Sequence, residues 1–264
     1  MIHLEESWKR EAARLGPTSL SDAAMTWDAP DPARDWIPDT LLPLSGCDGC
    51  ARLTPVQKRF YNHAYAAQLL EEFIWIESRL IVAPLTVLRR GWTGDAGLVL
   101  DSFLADERAH IVCFKRLRVM TGFAQTFFTP PGDLEALARL VGWWPQRFSF
   151  WPEVVFAFEQ YAIDIAKRCV GDSGVDPLFR EVFIAHARDE ARHIRFDALL
   201  RDVLAPGALS TRLGAFFQRA YYATDWGLEG PISALVQAFP DLGALGSDLR
   251  TQARVARHVK TAAA

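Results

Sequence analysis

The sequence predicts an all-α protein built on a four-helix bundle, and three observations carry that reading. Four long segments, about 54–90, 95–120, 153–170 and 177–204, repeat their apolar residues at the three- and four-residue spacing of a helix with one buried face. Two of them contain the same frame, Asp106-Glu107-Arg108-Ala109-His110-Ile111 and Asp189-Glu190-Ala191-Arg192-His193-Ile194, in the middle of an apolar stripe. Helix start and stop residues fall between the segments, with Thr54-Pro55 and Asp176-Pro177 as cap and first helical residue, and Gly91, Gly94 and Gly171 to Gly174 as breaks.

Residues 1–53 read as an irregular N-terminal arm. Segment 16–43 is rich in Pro, Asp and Trp without periodicity, and Trp27 and Trp36 are its expected anchors on the bundle that follows, 54–264. One domain is the simpler organisation, since no linker divides the chain and nothing repeats beyond the Asp-Glu-x-x-His frame. Cys47 and Cys50 form a lone Cys-x-x-Cys, too little for a zinc site or a thioredoxin-like site, and are read as loop thiols.

The first bundle helix is expected over 54–90, with a kink at Pro84. Its stripe of Leu69, Glu72, Phe73, Ile76 and Leu80 places Glu72 among apolar neighbours; Glu71, beside Ala67, Leu70 and Ile74, competes, and periodicity alone leaves the choice open. On the second helix, Leu100, Phe103, Leu104, Glu107, His110, Ile111 and Phe114 share the buried face. A loop at 121–131 and a short helix at 133–141 follow. Segment 142–152, with Trp143, Trp144, Phe148, Phe150 and Trp151, is too dense in aromatics for an exposed loop; it either packs the bundle end or walls a pocket.

On the third helix Phe156, Glu159, Ala162, Ile163 and Ala166 make the stripe, the two alanines leaving room beside the acid. On the fourth, Phe179, Val182, Phe183, His186, Glu190, His193 and Asp197 lie on or next to one face. An interior stripe so polar makes little sense for packing alone. Further helices are expected at 210–228, which is aromatic-rich, from Pro231, and at 242–260.

A Glu and a His three residues apart on one helical face can bind one ion together, and two such pairs on facing helices can hold two ions if further carboxylates arrive from other helices. Glu72 and Glu159 are the candidates for those. Burying such a cluster of acids without a counter-ion would cost too much. Carboxylates and imidazoles without thiolates suit iron or manganese, and a bridged pair of ions suits activation of dioxygen. Asp106 and Asp189, each preceding its glutamate, are expected to accept hydrogen bonds that fix the imidazole tautomers.

Composition narrows the partners. Of 264 residues, 50% are hydrophobic and 23% charged, with a net charge of -3, so no basic footprint invites nucleic acid or an anionic membrane. Residues 1–15 lack an apolar signal-like stretch, and the greasiest run, 73–88, is interrupted by Glu77, Arg79 and Pro84. A cytoplasmic protein is the expectation.

The order Glu72, Glu107-x-x-His110, Glu159, Glu190-x-x-His193 resembles the ferritin-like di-iron carboxylate proteins. His186, completing His-x-x-x-Glu-x-x-His, is similar to the extra histidine of the di-iron arylamine N-oxygenases, the family of p-aminobenzoate N-oxygenase. The Glu72 to Glu107 and Glu159 to Glu190 spacings look similar too, and on that ground Glu72 is preferred over Glu71. The resemblance covers about 54–204 and is specific at the metal site, not at a substrate pocket; the chain also looks shorter than typical members.

It implies seven protein ligands, Glu72, Glu107, His110, Glu159, His186, Glu190 and His193, holding two iron ions that cycle between ferrous and ferric, with O2, a small-molecule amine and an external electron donor as partners. Kin of this type often pair as homodimers. The rival readings are a di-iron hydroxylase or desaturase acting on carbon, and an iron-storage protein.

Overall fold

The computed structural model describes residues 2–204, 212 and 229–262. Every regular element among them is helical, apart from one isolated bridge that pairs Asp35 with Val175. Helix α1 spans Ile2–Ala12, α2 Asp48–Ala51, α3 Pro55–Ile76, α4 Ala83–Arg89, α5 Gly94–Met120, α6 Gly132–Trp143, α7 Trp151–Gly171, α8 Pro177–Leu204, α9 Glu229–Ala238 and α10 Gly243–Ala262. Apart from Arg212, the expected helix at 210–228 lies outside the described residues, as does the aromatic surface it would offer a second copy.

Four helices form the bundle: α3 packs against α5, and α7 against α8 across the short 172–176 connection. Their starts are specified locally. Thr54 accepts from the Gln57 amide at 3.3 Å while the Gln57 side chain accepts from the Thr54 amide at 2.8 Å, a reciprocal cap worth about 1 kcal/mol. Asp176 caps α8 through the Leu178 and Phe179 amides at 2.9 and 3.2 Å. Gly122, with φ 74, follows the end of α5 in the left-handed conformation that a helix C-terminus favours.

The expected continuous first helix, kinked at Pro84, is interrupted earlier and differently. Between α3 and α4, Glu77–Val82 form a π-helical turn. Pro84 has no N–H to give the Leu80 carbonyl, and the Trp151 indole donates to that oxygen instead. A π turn inserts one residue per turn, so it re-aims every side chain on one side of it relative to the other.

The first 53 residues are not irregular throughout. Ile2–Ala12 is helical, and its Trp8 is buried, edge-on to Trp92 at 5.3 Å and Phe196 at 5.9 Å. Segment 16–43 is a strap against the bundle, with one helical turn at Asp39–Leu41. Trp36 stacks between His63 and Phe179, with ring centroids 3.8 and 5.1 Å away, and Asn62 bonds the Trp36 amide and the Ile37 carbonyl at 2.8 and 2.7 Å. Burial holds the His63 imidazole below its ordinary pKa. Trp27, half-buried, carries the Arg116 guanidinium over its ring.

Cys47 and Cys50 flank the start of the short α2, and both are free thiols. The 142–152 segment divides: Trp151 is buried, whereas Trp143 and Trp144 are 63% and 53% exposed, contrary to the expectation that such a dense aromatic run would be covered. The turn at 145–147 separates the two and leaves the paired indoles facing outward.

Candidate metal centre

Two apolar clusters fill the bundle, one around Phe73, Phe114, Phe179 and Phe183 and the other around Leu80, Phe103, Trp151 and Phe196. Polar side chains are concentrated where they meet. His186 lies edge-on to Phe73 and Phe114 of the first, at 5.2 and 4.9 Å, and His193 lies 3.9 Å from the Phe103 ring of the second.

Here two groups converge, Glu77 with His110, His186 and Glu190, and Glu107 with Glu159, Glu190 and His193. Within each group one donor atom per residue lies within 4.8 Å of all the others, and every member is buried. Glu190 belongs to both. His186 Nε2 is 2.5 Å from Glu190 Oε1 and 3.2 Å from Glu77 Oε1, and His193 Nδ1 is 3.0 Å from Glu107 Oε1 and 3.1 Å from Glu190 Oε2. Glu107 Oε1 is also 4.0 Å from His110 Nδ1, so this carboxylate lies between the two imidazoles of the repeated frame.

These contacts are close but mostly misaligned. Both carboxyl oxygens of Glu77, Glu107 and Glu159, Nδ1 of His110 and both ring nitrogens of His186 have no hydrogen-bond partner among the described residues. Leaving a buried polar atom unpaired costs about 1–3 kcal/mol, more if it is charged. So many in one place means that they face a common centre and not one another, which suits cations. The two groups hold four glutamates between them, and two divalent ions would balance the charge of all four carboxylates.

The two imidazoles of the repeated frame are oriented from behind, and crosswise. His110 on α5 bonds through Nε2 to Asp189 on α8 at 3.1 Å; His193 on α8 bonds through Nε2 to Asp106 on α5 at 3.2 Å. With Nε2–H donating outward, Nδ1 of each ring points into the cluster. Each aspartate thus bonds the other helix's histidine.

Asp189 also accepts from the Ser19 and Leu20 amides at 2.8 and 2.9 Å and pairs with Arg192 at 2.7 Å. Burial would raise its carboxyl, but the bonds from His110 and the two amides outweigh it and hold it well below the usual range. At Asp106 burial is likewise outweighed, by His193 and Thr18.

The remaining charges follow the same competition. Burial lowers His186 and His193, yet their glutamates prevail: His186 is pushed up to about 10, with Glu190 and Glu77 as the cause, and His193 is raised well above its usual value, chiefly by Glu190. Burial raises Glu77 and Glu159; Glu190 goes the other way because His186 and His193 flank it.

Of the seven residues expected to converge, Glu107, His110, Glu159, His186, Glu190 and His193 do. Glu72 does not belong to either group. It is buried, but takes a 2.6 Å hydrogen bond from Gln68 one turn back. Glu77 occupies the place instead, four residues beyond Phe73 on the face that meets His186, at the first residue of the π turn. Glu71, the other candidate, ties down the 121–131 loop through Arg118 at 2.7 Å and the Phe127 and Phe128 amides at 2.8 and 2.7 Å. Sequence periodicity missed Glu77 because it assumes 3.6 residues per turn; the proline seven residues on was the available signal.

Asp197, one turn past His193, is also buried here with its carboxyl against Glu159, and burial pushes it up to about 7. A cavity of about 30 Å³ reaches His193 and Asp106 from the side of α1, room for a water-sized molecule and no more.

An all-helical bundle whose four main helices bring carboxylates and imidazoles to one buried cluster defines the ferritin-like class. Within that class the chain belongs to the family of the P-aminobenzoate N-oxygenase AurF, whose sequence profile matches residues 2–212. It is thus a di-iron oxygenase related to the arylamine N-oxygenases, acting with O2. A comparison with curated proteins gives no match. None of the described helices is long and apolar enough to cross a membrane.

Proposed function

We propose that this chain holds two iron ions and uses O2 to oxygenate the nitrogen of a small aryl amine such as p-aminobenzoate. The observation that supports it most is the pair of buried groups sharing Glu190. Glu77, His110 and His186 with Glu190 would hold one ion, and Glu107, Glu159 and His193 with Glu190 the other. When bound and reduced, the ions supply the electrons that activate dioxygen.

The protein's own part is geometry, charge and dryness. Glu190, common to both groups, would set the spacing of the two positions. Asp189 and Asp106 lock His110 and His193 with Nδ1 inward. Phe73, Phe114 and Phe103 keep water from the imidazoles, which strengthens every charge interaction inside. For the first oxygenation the balance is amine, O2, two electrons and two protons in, hydroxylamine and water out.

The electron pair comes from an external donor, since the sequence carries no flavin or nicotinamide fingerprint. The four free cysteines fit the reducing environment of the cytoplasm.

The test is a single turnover. Chain reconstituted anaerobically with ferrous ion is exposed to 18O-labelled O2 with p-aminobenzoate, and the products are analysed by mass spectrometry. Label on the amine nitrogen, as hydroxylamine, nitroso or nitro compound, is the expected result. Label on carbon would make it a hydroxylase. Repeated oxidation of ferrous ion into a ferric mineral with the amine untouched would make it a store.

A further inference from the structure

The 13–20 segment runs from α1 to the buried Leu20, and donors of its last three residues are directed at one place. The Thr18 hydroxyl donates to Asp106 Oδ1. The Ser19 amide donates to both oxygens of Asp189 at 2.8 and 2.9 Å, and the Leu20 amide to one of them at 2.9 Å. Arg192 completes the set, bonding Asp106 at 3.1 Å and Asp189 at 2.7 Å.

Thus the two carboxylates that orient His110 and His193 are both held by three consecutive residues of the N-terminal strap. The same segment lines two spaces: Leu15 and Gly16 a water-sized cavity with Asp106 and His193, and Thr18 and Ser19 a groove of about 620 Å³ with Ala185 and Arg188.

We propose that Thr18, Ser19 and Leu20 are positioning residues of the metal centre, so that docking of the strap and retention of the metal are one equilibrium. This rests on the metal-centre reading above. With the strap docked, Asp106 and Asp189 have one orientation each and both imidazoles present Nδ1 to the ions. With it lifted, Asp189 loses two backbone donors and Asp106 its hydroxyl donor, and the aspartates turn toward water or Arg192. The imidazoles then lose the support that sets their tautomer. Coupling of this kind is reciprocal: whatever factor the strap contributes to metal affinity, the metal contributes to strap docking.

Sequence patterning could not show this, because two of the three donors are backbone amides some 170 residues from their acceptor.

Two measurements on the full chain test it. Hydrogen–deuterium exchange of the Ser19 and Leu20 amides is followed with and without ferrous ion under anaerobic conditions. The loaded chain should protect them about tenfold more, the low end of what outer carboxylate partners contribute to metal affinity. In parallel, Thr18→Val should weaken ferrous binding about tenfold while Thr18→Ser restores it.

Equal exchange rates with and without bound iron overturn the proposal, and wild-type affinity in a folded Thr18→Val chain does so as well. Should Thr18→Val fail to fold, the exchange measurement on the unmodified chain decides alone. A wild-type chain that takes up no iron overturns the metal reading and this coupling with it, whereas a chain that binds two ions with indifferent amides overturns the coupling only.

Discussion

Helices α5 and α8 carry the same Asp-Glu-x-x-His frame, yet they do not contribute equally. Four residues before Glu190 stands His186, which reaches Glu77; four residues before Glu107 stands Phe103, which covers the His193 ring. One helix therefore supplies three cluster members and the other two. The carboxylates that join them differ as well: Glu77 arrives on a π turn beside Phe73, and Glu159 on a regular helix beside Asp197. A near-symmetric frame thus gives two unequal positions, one with two imidazoles and one with a single imidazole beside a second buried acid. The difference lies in one residue on each of α5 and α8 and in the π turn that carries Glu77.

Breaking the shared member should have the largest effect. Glu190→Gln removes the carboxylate common to both groups, and metal analysis should find both ions lost. Next, Glu77→Gln should cost the two-imidazole position and leave one ion per chain, while Glu72→Gln leaves the stoichiometry unchanged; the reverse result would restore Glu72 as the ligand and make the π turn incidental.

His186→Phe makes α8 imitate α5 and should weaken the same position, measured by anaerobic ferrous titration. Asp189→Asn and Asp106→Asn should each lower affinity about 10–100-fold without removing a ligand. The weakening should appear at the position of the histidine that each supports, His110 for the first and His193 for the second.

A smaller, continuous effect comes with pH. Without metal, His186 is raised to about 10 and His193 well above its usual value, so both hold protons at neutral pH, and a metal must displace them. Uptake at pH 7 should release protons, seen as a buffer-dependent heat in calorimetry, and affinity should climb with pH.

The metal-free chain should run the other way. A raised imidazole contributes stability that is full below its unfolded value near 6.5 and is lost as pH rises through about 10, so the melting temperature should fall over that window. Loading with metal should flatten that slope. A metal-free chain whose melting temperature holds steady from pH 6.5 to 10 would show that His186 is neutral there.

What the sequence disclosed follows the same division. Residues three and four apart on a regular helix declare their shared face, so Glu107, His110, His186, Glu190 and His193 were legible, and Glu159 with them from its stripe. Glu77 was not, because Pro84 and Trp151 convert its turn from α to π, and because it read only as a charge interrupting a greasy run. The fold class was written in the caps and periodicities, whereas the helix over Ile2–Ala12 was hidden in a polar stretch that is anchored by the buried Trp8. Contacts between the strap and Asp189 had no signature at all, since backbone amides look alike in every sequence.

The most direct measurement is the metal content of the full chain reconstituted anaerobically with ferrous ion and freed of excess, with the Glu190→Gln chain beside it. Two irons per wild-type chain and none in the variant are expected. A wild-type chain with no bound iron, or a variant that retains both ions, would contradict a centre built around the shared glutamate.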